Sequence, residues 1–288
     1  MNAITGLPRS GSTLLCNVLN QNPEFFVSST SNLAGVINGI STYFSSQLEF
    51  KYHLDKNREK ETERLRKSIQ SFCKEWYKPE GKKTVFDKSR EWLINVDILN
   101  AIGGKSICIV RDPRNIVASI EKQNRETGLF HEARLTYGQK LDGLFDPEKG
   151  LIGTPLTALK SIIDRNYDAS ILLTIDDLEN KIKKVKKQPL LIIKYETFAK
   201  HPEAVLKVIY SFIGKKIFDH NLENVENVAE DCDGLYLYKY PHQGKGKIIE
   251  TNPFEYKKYM SREIHIGIEQ KYKWFFQLFN YEVTNLKN

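Results

Sequence analysis

The sequence has few of the features that mark membrane, secreted or disordered proteins. Only four cysteines occur in 288 residues, and their positions (Cys16, Cys73, Cys108 and Cys232) form no C-x-x-C pair or other metal-ligand spacing. No apolar run reaches the length of a membrane span, and nothing at the N-terminus resembles a signal peptide. Tracts rich in Pro and Gly, or in Ser, are also lacking. These absences predict a globular cytoplasmic protein with reduced thiols, no metal and no membrane partner.

The residues that are present suit an ordinary globular domain with a basic surface. Hydrophobic residues make up 40% and charged residues 27%, and the formal net charge is +7. No internal repeat or linker is visible, which favours a single domain over residues 1–288. The positive charge suits an anionic ligand. The Lys-rich stretch 181–187 is better explained as an amphipathic helix with a solvated face, so no nucleic-acid partner is expected.

Short apolar runs alternate with segments of helical periodicity along the chain. Strands are predicted at 2–5, 84–86, 106–110 and 190–194, helices at 12–19, 51–74, 92–101, 115–123 and 202–213, and loops over 217–252. Strands that alternate with helices favour a parallel sheet covered by helices on both faces. The expected fold class is therefore a single-domain α/β protein with a central parallel sheet.

A glycine-containing segment joins the first predicted strand to the first predicted helix. Its sequence, G-L-P-R-S-G-S-T at 6–13, keeps the glycine spacing of a Walker A loop. Glycines let successive backbone N–H groups converge on an anion, and the helix adds its positive end and the hydroxyls of Ser12 and Thr13. Ser12 stands where an NTPase needs its Lys, and the cation of this loop is Arg9 instead. The loop therefore predicts phosphate binding and disfavours ATP hydrolysis.

A second anion-binding pattern follows the predicted strand 106–110. Arg111 comes directly after this strand, and Ser119 lies in the helix that starts after Pro113. An arginine offers a forked cation to phosphate oxygens, and a serine hydroxyl adds a neutral donor. Ligands of open α/β sheets bind at this edge. On its own, the R-D-P-R sequence at 111–114 is explained equally well as a polar turn with local ion pairs.

Together, G-L-P-R-S-G-S-T-L-L at 6–15 and I-V-R-D-P-R-N-I-V-A-S at 109–119 resemble the two nucleotide-binding motifs of the sulfotransferase family. V-F-D-K-S at 85–89 and I-K-Y-E-T-F-A-K-H-P-E at 193–203 are similar to two further family elements. The resemblance implies a P-loop-like sulfotransferase fold and in-line transfer of a sulfuryl group from 3′-phosphoadenosine 5′-phosphosulfate (PAPS), without a metal. Arg in the first motif looks like the tyrosylprotein sulfotransferase branch and its bacterial relatives.

The resemblance also implies which residues form the site. The first motif would bind the 5′-phosphosulfate, Arg111 and Ser119 the 3′-phosphate, and Arg9 and Lys88 would act on the transferred group. The nucleotide-binding set that it implies is Gly6, Pro8, Arg9, Ser10, Gly11, Ser12, Thr13, Arg111, Ser119, Tyr195, Gly244 and Lys245. The last two belong to Q-G-K-G-K at 243–247, which is similar to the family loop that closes over the nucleotide, although such stretches are also common in surface turns.

The general base of the related tyrosylprotein sulfotransferases has no counterpart in this sequence. A Glu follows the first helix in those enzymes, whereas Ser29 or Thr30 occupies its place here. Glu91 is the leading replacement, and His53 and His131 are further candidates. For each of them, an exposed or structurally bonded side chain is the simpler explanation. The acceptor stays open among small molecules, glycans and peptides that offer a hydroxyl or an amine.

Two functions of other classes compete with this interpretation. A non-catalytic module that binds adenosine 3′,5′-bisphosphate would explain the missing base. Arg9 and Lys88 argue against it, because binding alone has less need of a second cation near the phosphosulfate. A P-loop kinase fits the glycine spacing, but the Lys is absent and no convincing Mg²⁺ carboxylate is present.

Overall fold

The protein is represented by a computed structural model that describes residues 1–81, 84–127, 137–228 and 244–284. Its strands are β1 Asn2–Gly6, β2 Phe25–Val27, β3 Thr84–Lys88, β4 Ser106–Val110, β5 Ala169–Leu172 and β6 Leu190–Lys194. Its helices are α1 Ser12–Asn20, α2 Leu33–Ser46, α3 Leu48–Trp76, α4 Val96–Ala101, α5 Pro113–Thr127, α6 Tyr137–Leu144, α7 Gly153–Asp164, α8 Leu178–Val185, α9 Tyr195–Lys200, α10 Pro202–Ile213, α11 Arg262–Lys271 and α12 Lys273–Leu278. Short 3₁₀ helices occupy Lys78–Glu80, Arg90–Leu93 and Glu255–Lys258.

The described strands form a six-stranded sheet in the order β2-β3-β1-β4-β6-β5. Every strand pair is parallel, with Ile4 opposite Ile107 and Ile109 opposite Ile193. The carboxyl ends of all six strands therefore meet at one edge of the sheet. This arrangement confirms the predicted α/β fold with a central parallel sheet.

The sheet is covered on both faces because alternate residues of its strands point to opposite layers. Ile107 and Ile109 pack in a core formed with α1, α8, α9 and α10. Cys108 and Val110 pack in a second core formed with α5, α7, α11 and α12. Ala3 joins a third cluster formed with α2, α3 and α4. Burial on both faces explains why β4 and β6 are continuous apolar runs.

Several elements differ from the sequence prediction. The edge strands β2 and β5 were not predicted, nor were α2, α7, α11 and α12. The expected helix 92–101 is a 3₁₀ helix followed by α4. The helix expected at 51–74 extends over 48–76, but Asn57 interrupts it with non-helical angles (φ −154°, ψ 76°). Residues 217–228 and 244–252 are loops as predicted, apart from a bridge between Val225 and Gly246.

A buried charge cluster ties α5 to the C-terminal part of the chain. The Arg114 guanidinium lies 2.6 Å from an Asp112 carboxylate oxygen and 2.5 Å from Glu269 on α11. It also donates to the carbonyl oxygen of Glu282 at 2.8 Å and lies 4.3 Å from the centre of the Tyr256 ring. All three charged side chains are buried. Because a buried charge is tolerated only with such partners, α5 and α11 depend on each other for stability.

None of the helices in the described residues is both long and apolar enough to cross a membrane.

Candidate active site

The loop between β1 and α1 is shaped by residues with positive φ. Gly6 (φ 142°) approaches β4 so closely that a Cβ would lie 2.1 Å from the Ile109 carbonyl oxygen, and Gly11 (φ 86°) would place a Cβ 2.4 Å from the Tyr195 ring. Arg9 also has φ 54°, which is uncommon for a residue with a side chain. The buried Ser10 hydroxyl closes the turn by donating to the Leu7 carbonyl oxygen at 2.6 Å. The loop is therefore compact, and positions 6 and 11 leave no room for a side chain.

The loop ends at the N-terminus of α1, where backbone donors point away from the helix. Gly11 occupies the N-cap position, so no cap side chain competes for the first amides of α1. Ser12 and Thr13 begin the helix, and Pro8 lies buried before it. The first turn of a helix offers N–H groups and positive potential to an anion. This is the geometry that the glycine spacing predicted.

Three cationic side chains, each of which follows or ends a different strand, lie together at this loop. The Lys88 Nζ, at the end of β3, donates to the Thr13 hydroxyl at 2.8 Å. The Arg9 Nε donates to the Ser119 hydroxyl on α5 at 3.3 Å, and an Arg111 Nη donates to the Arg9 carbonyl oxygen at 2.9 Å. The first of the Arg contacts joins residues 110 positions apart. The structure thus brings together the loop, the D-K element and the R-D-P-R motif.

The Arg111 guanidinium includes a buried donor that the described residues around it do not use. The Nε is buried and makes no hydrogen bond to any residue that the structure describes. The guanidinium lies 4.9 Å from the centre of the Tyr195 ring, which in turn lies against Gly11. Burial raises the pKa of Tyr195, so its hydroxyl stays protonated at neutral pH. A buried N–H without an acceptor is costly, and an oxygen of a bound anion would remove that cost.

Gly244 lies against α1 beside the loop. The Asn17 amide donates to the Gly244 carbonyl oxygen at 2.7 Å and to the Asn227 side-chain oxygen at 2.9 Å. A Cβ on Gly244 would approach the Leu14 backbone nitrogen to 3.0 Å. Lys245 is exposed, and Gln243, the first residue of the Q-G-K-G-K sequence, lies outside the described residues. The predicted Q-G-K-G-K loop therefore reaches α1, although its first part is not described.

Lys88 is held in place by hydrogen bonds on both sides of its backbone. Its N–H donates to the Ser28 hydroxyl at 2.9 Å, and its carbonyl oxygen accepts from the Ser31 N–H at 3.0 Å. The preceding Asp87 is fully buried and accepts from the Trp92 indole N–H at 2.5 Å and from the Tyr77 hydroxyl. Burial raises the pKa of Asp87, and its hydrogen bonds act in the opposite direction. The sequence alone assigned no role to Asp87 or Ser28.

The candidate bases occupy different places. Glu91 is exposed, and its carboxylate lies over the start of α2, where a Cβ on Gly35 would meet Glu91 Oε2 at 2.5 Å. Ser29 is buried and Thr30 is exposed. His53 lies on α3 in the wall of a cavity between α2 and α3. The remaining candidate, His131, lies outside the described residues.

Within the described ranges, no group of three or more His, Cys, Asp or Glu side chains is placed to hold a metal ion.

Comparison with known proteins gives one family match and several structural matches. Residues 3–144 match the model of the family described as "Sulfotransferase family". This range contains the segments 6–15, 85–89 and 109–119, whereas Tyr195 and Gly244 lie beyond it. A search of curated proteins found no relative with significant similarity.

Among solved structures, the sulfotransferase domain from the Synechococcus PCC 7002 olefin synthase matches with a TM-score of 0.54 and 18% identity, over 99% of this chain and 95% of that one. The sulfotransferase domain from the curacin biosynthetic pathway matches with a TM-score of 0.43 and 18% identity, over 80% and 78% of the two chains. The sulfotransferase from Alicyclobacillus acidocaldarius matches with a TM-score of 0.43 and 12% identity, over 82% and 87%. The first of these matches shows that the fold is shared.

Proposed function

We propose that this chain, which belongs to the sulfotransferase family, transfers a sulfuryl group from PAPS to a hydroxyl or amine of an acceptor. The observation that carries the proposal is the contact between Arg9 Nε and the Ser119 hydroxyl at 3.3 Å. It joins the two motifs that the donor would have to bridge. Lys88, 2.8 Å from the Thr13 hydroxyl, adds a second cation at the same loop.

The donor site would be divided between the two motifs. Ser10, Gly11, Ser12 and Thr13 would offer backbone N–H groups, and the last two also hydroxyls, to the 5′-phosphosulfate. Arg111 and Ser119 would hold the 3′-phosphate, and the buried Nε of Arg111 is the donor with the clearest need of such an oxygen. The bound donor would supply the sulfuryl group and a stable bisphosphate leaving group.

The chemical role of the protein would be to fix charges in place before the reaction. Arg9 and Lys88 would stabilise negative charge that develops on the transferred group and on the leaving oxygen. Lys88 suits this role because Ser28 and Ser31 hold its backbone while Thr13 orients its ammonium group. Preorganised charges cost no reorganisation during the reaction, which is why they accelerate it.

The acceptor would approach from the side of α2, and Glu91 is the carboxylate that stands there. Its position over Gly35 makes it our candidate for the base that removes the acceptor proton. A small molecule, glycan or peptide could bring the hydroxyl or amine. We propose that the reaction takes place in the cytoplasm. We propose that it involves neither a nucleic acid nor a membrane.

A thermal-shift comparison of adenosine 3′,5′-bisphosphate with ATP·Mg²⁺ tests the donor site. A ligand at 100 times its Kd stabilises the native state by about 2.7 kcal/mol, and we expect this shift with the bisphosphate and not with ATP·Mg²⁺. Arg111→Ala should reduce the stabilisation at the same concentration to about 1.4 kcal/mol or less, whereas Arg165→Ala, which removes an exposed arginine paired with Asp97, should keep it. A shift with ATP·Mg²⁺ alone would favour a kinase and refute the proposal.

The absence of a family-type base at Ser29 and Thr30 favours one alternative, a module that binds the bisphosphate without catalysis. Both functions predict the same thermal shift, so turnover separates them. Release of adenosine 3′,5′-bisphosphate from PAPS that depends on an added acceptor supports the enzyme. Binding without release across a broad set of alcohols, phenols, sugars and amines supports the module.

A further inference from the structure

The segment that follows β6 lies beside the segment that follows β4, because the two strands are paired up to their last residues. Arg111 is the first residue after β4, and its guanidinium lies 4.9 Å from the centre of the Tyr195 ring, which follows β6. One residue further along both segments, the Asp112 N–H donates to Oε1 of Glu196 at 3.4 Å. The turn that carries Arg111 is therefore bound to the start of α9.

Both oxygens of the Glu196 carboxylate accept a hydrogen bond. Oε1 accepts from the Asp112 N–H, and Oε2 accepts from the Tyr281 hydroxyl at 2.8 Å. Burial raises the pKa of Tyr281, so the hydroxyl keeps the proton that it donates. Burial also raises the pKa of Glu196, and the nearby Arg111 guanidinium acts in the opposite direction. Glu196 thus links the turn at Arg111 to the C-terminal part of the chain.

The position of Tyr281 is set by contacts of its backbone and ring. Its N–H donates to the Phe276 carbonyl oxygen at 2.9 Å, and its ring lies parallel to that of Phe275, with 5.9 Å between the ring centres and 6° between the planes. The Lys194 Nζ lies 3.8 Å from the centre of the Tyr281 ring and donates to the Phe279 carbonyl oxygen at 3.0 Å. None of these contacts uses the hydroxyl. Loss of the hydroxyl alone should therefore leave the ring in place.

Asp112 is bound on two sides, since Glu196 accepts from its N–H and Arg114 donates to its carboxylate at 2.6 Å. Arg111 lies between this residue and the end of β4, so its backbone position depends on both. We infer that Glu196 and Tyr281 are positioning residues for Arg111, because they hold the turn from which its guanidinium would reach the 3′-phosphate of the donor. Both residues lie beyond the family match at 3–144. This inference rests on the proposed function, since it takes Arg111 as the residue that binds this phosphate.

Calorimetric titration of the full chain with adenosine 3′,5′-bisphosphate and adenosine 5′-phosphate tests the inference. Tyr281→Phe should raise the Kd of the bisphosphate about three- to tenfold, as loss of one hydrogen bond does, and leave that of the 5′-phosphate within about twofold. Glu196→Ala should have a larger effect. Glu196→Gln should restore part of the affinity, because its amide oxygen can still accept from Asp112. Tyr272→Phe is the matched control, since it removes a hydroxyl that donates to the Phe145 carbonyl oxygen at 3.4 Å, and it should change neither Kd.

The same substitution in an Arg111→Ala background separates positioning from a general structural role. If Tyr281 acts through Arg111, Tyr281→Phe should cause no further loss of bisphosphate affinity once Arg111 is absent. An equal loss in both backgrounds would overturn the inference, and so would equal losses for the two nucleotides or an unchanged Kd in Tyr281→Phe. In each of these cases, binding of the bisphosphate to the parent protein would leave the proposed function standing. A parent protein that does not bind the bisphosphate would refute the proposed function and this inference with it.

Discussion

Replacing Arg111 with alanine is the most informative test of the nucleotide site. The Nε of Arg111 is buried, and no described residue accepts a hydrogen bond from it. An Nη of the same guanidinium donates to the Arg9 carbonyl oxygen. A hydrogen bond to a charged group contributes about 1.5–3 kcal/mol. Loss of one such bond to a 3′-phosphate corresponds to about a 10- to 150-fold increase in Kd.

The assay is isothermal titration with two nucleotides that differ only in the 3′-phosphate. We expect Arg111→Ala to weaken adenosine 3′,5′-bisphosphate by that factor and to leave adenosine 5′-phosphate within about twofold of the parent protein, a difference under 0.5 kcal/mol. Arg165→Ala, which removes an exposed guanidinium, should change neither Kd.

Two results would refute this reasoning. Equal losses for both nucleotides would mean that Arg111 acts on the shape of the loop through the Arg9 carbonyl oxygen and does not bind the 3′-phosphate. An unchanged Kd for the bisphosphate would mean that Arg111 lies outside the binding site. The ratio of the two dissociation constants therefore decides the role of this residue.

Three further predictions concern catalysis and stability. Lys88→Met should lower kcat for sulfuryl transfer by about 10²- to 10³-fold at saturating donor, because it removes one preorganised cation. Arg114→Leu should lower the free energy of unfolding in urea by about 3–5 kcal/mol, because it leaves Asp112 and Glu269 buried without their cation. Burial lowers the pKa of His220 from 6.5 in the folded protein. As the pH falls, the unfolded state therefore binds this proton before the folded state does. Stability should therefore fall as the pH drops below about 6.5, and His220→Gln should remove this component.

Matched variants show whether these effects are specific. Lys207→Met on α10 should leave kcat unchanged, and an equal loss there would contradict the role of Lys88. Arg165→Leu should cost less than about 0.5 kcal/mol, as expected for an exposed residue. An unaltered pH profile in His220→Gln would show that another group titrates.

The central strands could be predicted from the sequence, and the edge strands could not. β4 and β6 are buried on both faces, so their sequences are continuous apolar runs that mark them clearly. β2 has only three residues, and β5 is an edge strand in which three of four residues are only partly buried. Short edge strands owe their conformation to pairing with a neighbour, which a local pattern does not reveal.

The residues of the candidate anion site could be selected from the sequence because they lie in short, ordered motifs. The contacts that hold those motifs together were not, since they join distant parts of the chain. The packing of Tyr195 on Gly11 and the bond from Asn17 to Gly244 are examples. The shape of the cavity between α2 and α3 could not be predicted, because it depends on the break at Asn57 inside a segment with uninterrupted helical character.

The Arg114 cluster bears on how the chain can be divided. The family match ends at residue 144. Two partners of Arg114, the Glu269 carboxylate and the Glu282 carbonyl oxygen, lie beyond this residue. So does β6, which pairs with β4. A fragment cut at 144 would keep every motif that the match contains, but it would expose an apolar strand edge, a recognised template for aggregation. The segment that carries the family match is thus shorter than the segment whose contacts complete the fold. A chimera should therefore take residues 112–284 from one parent, with its junction outside this range.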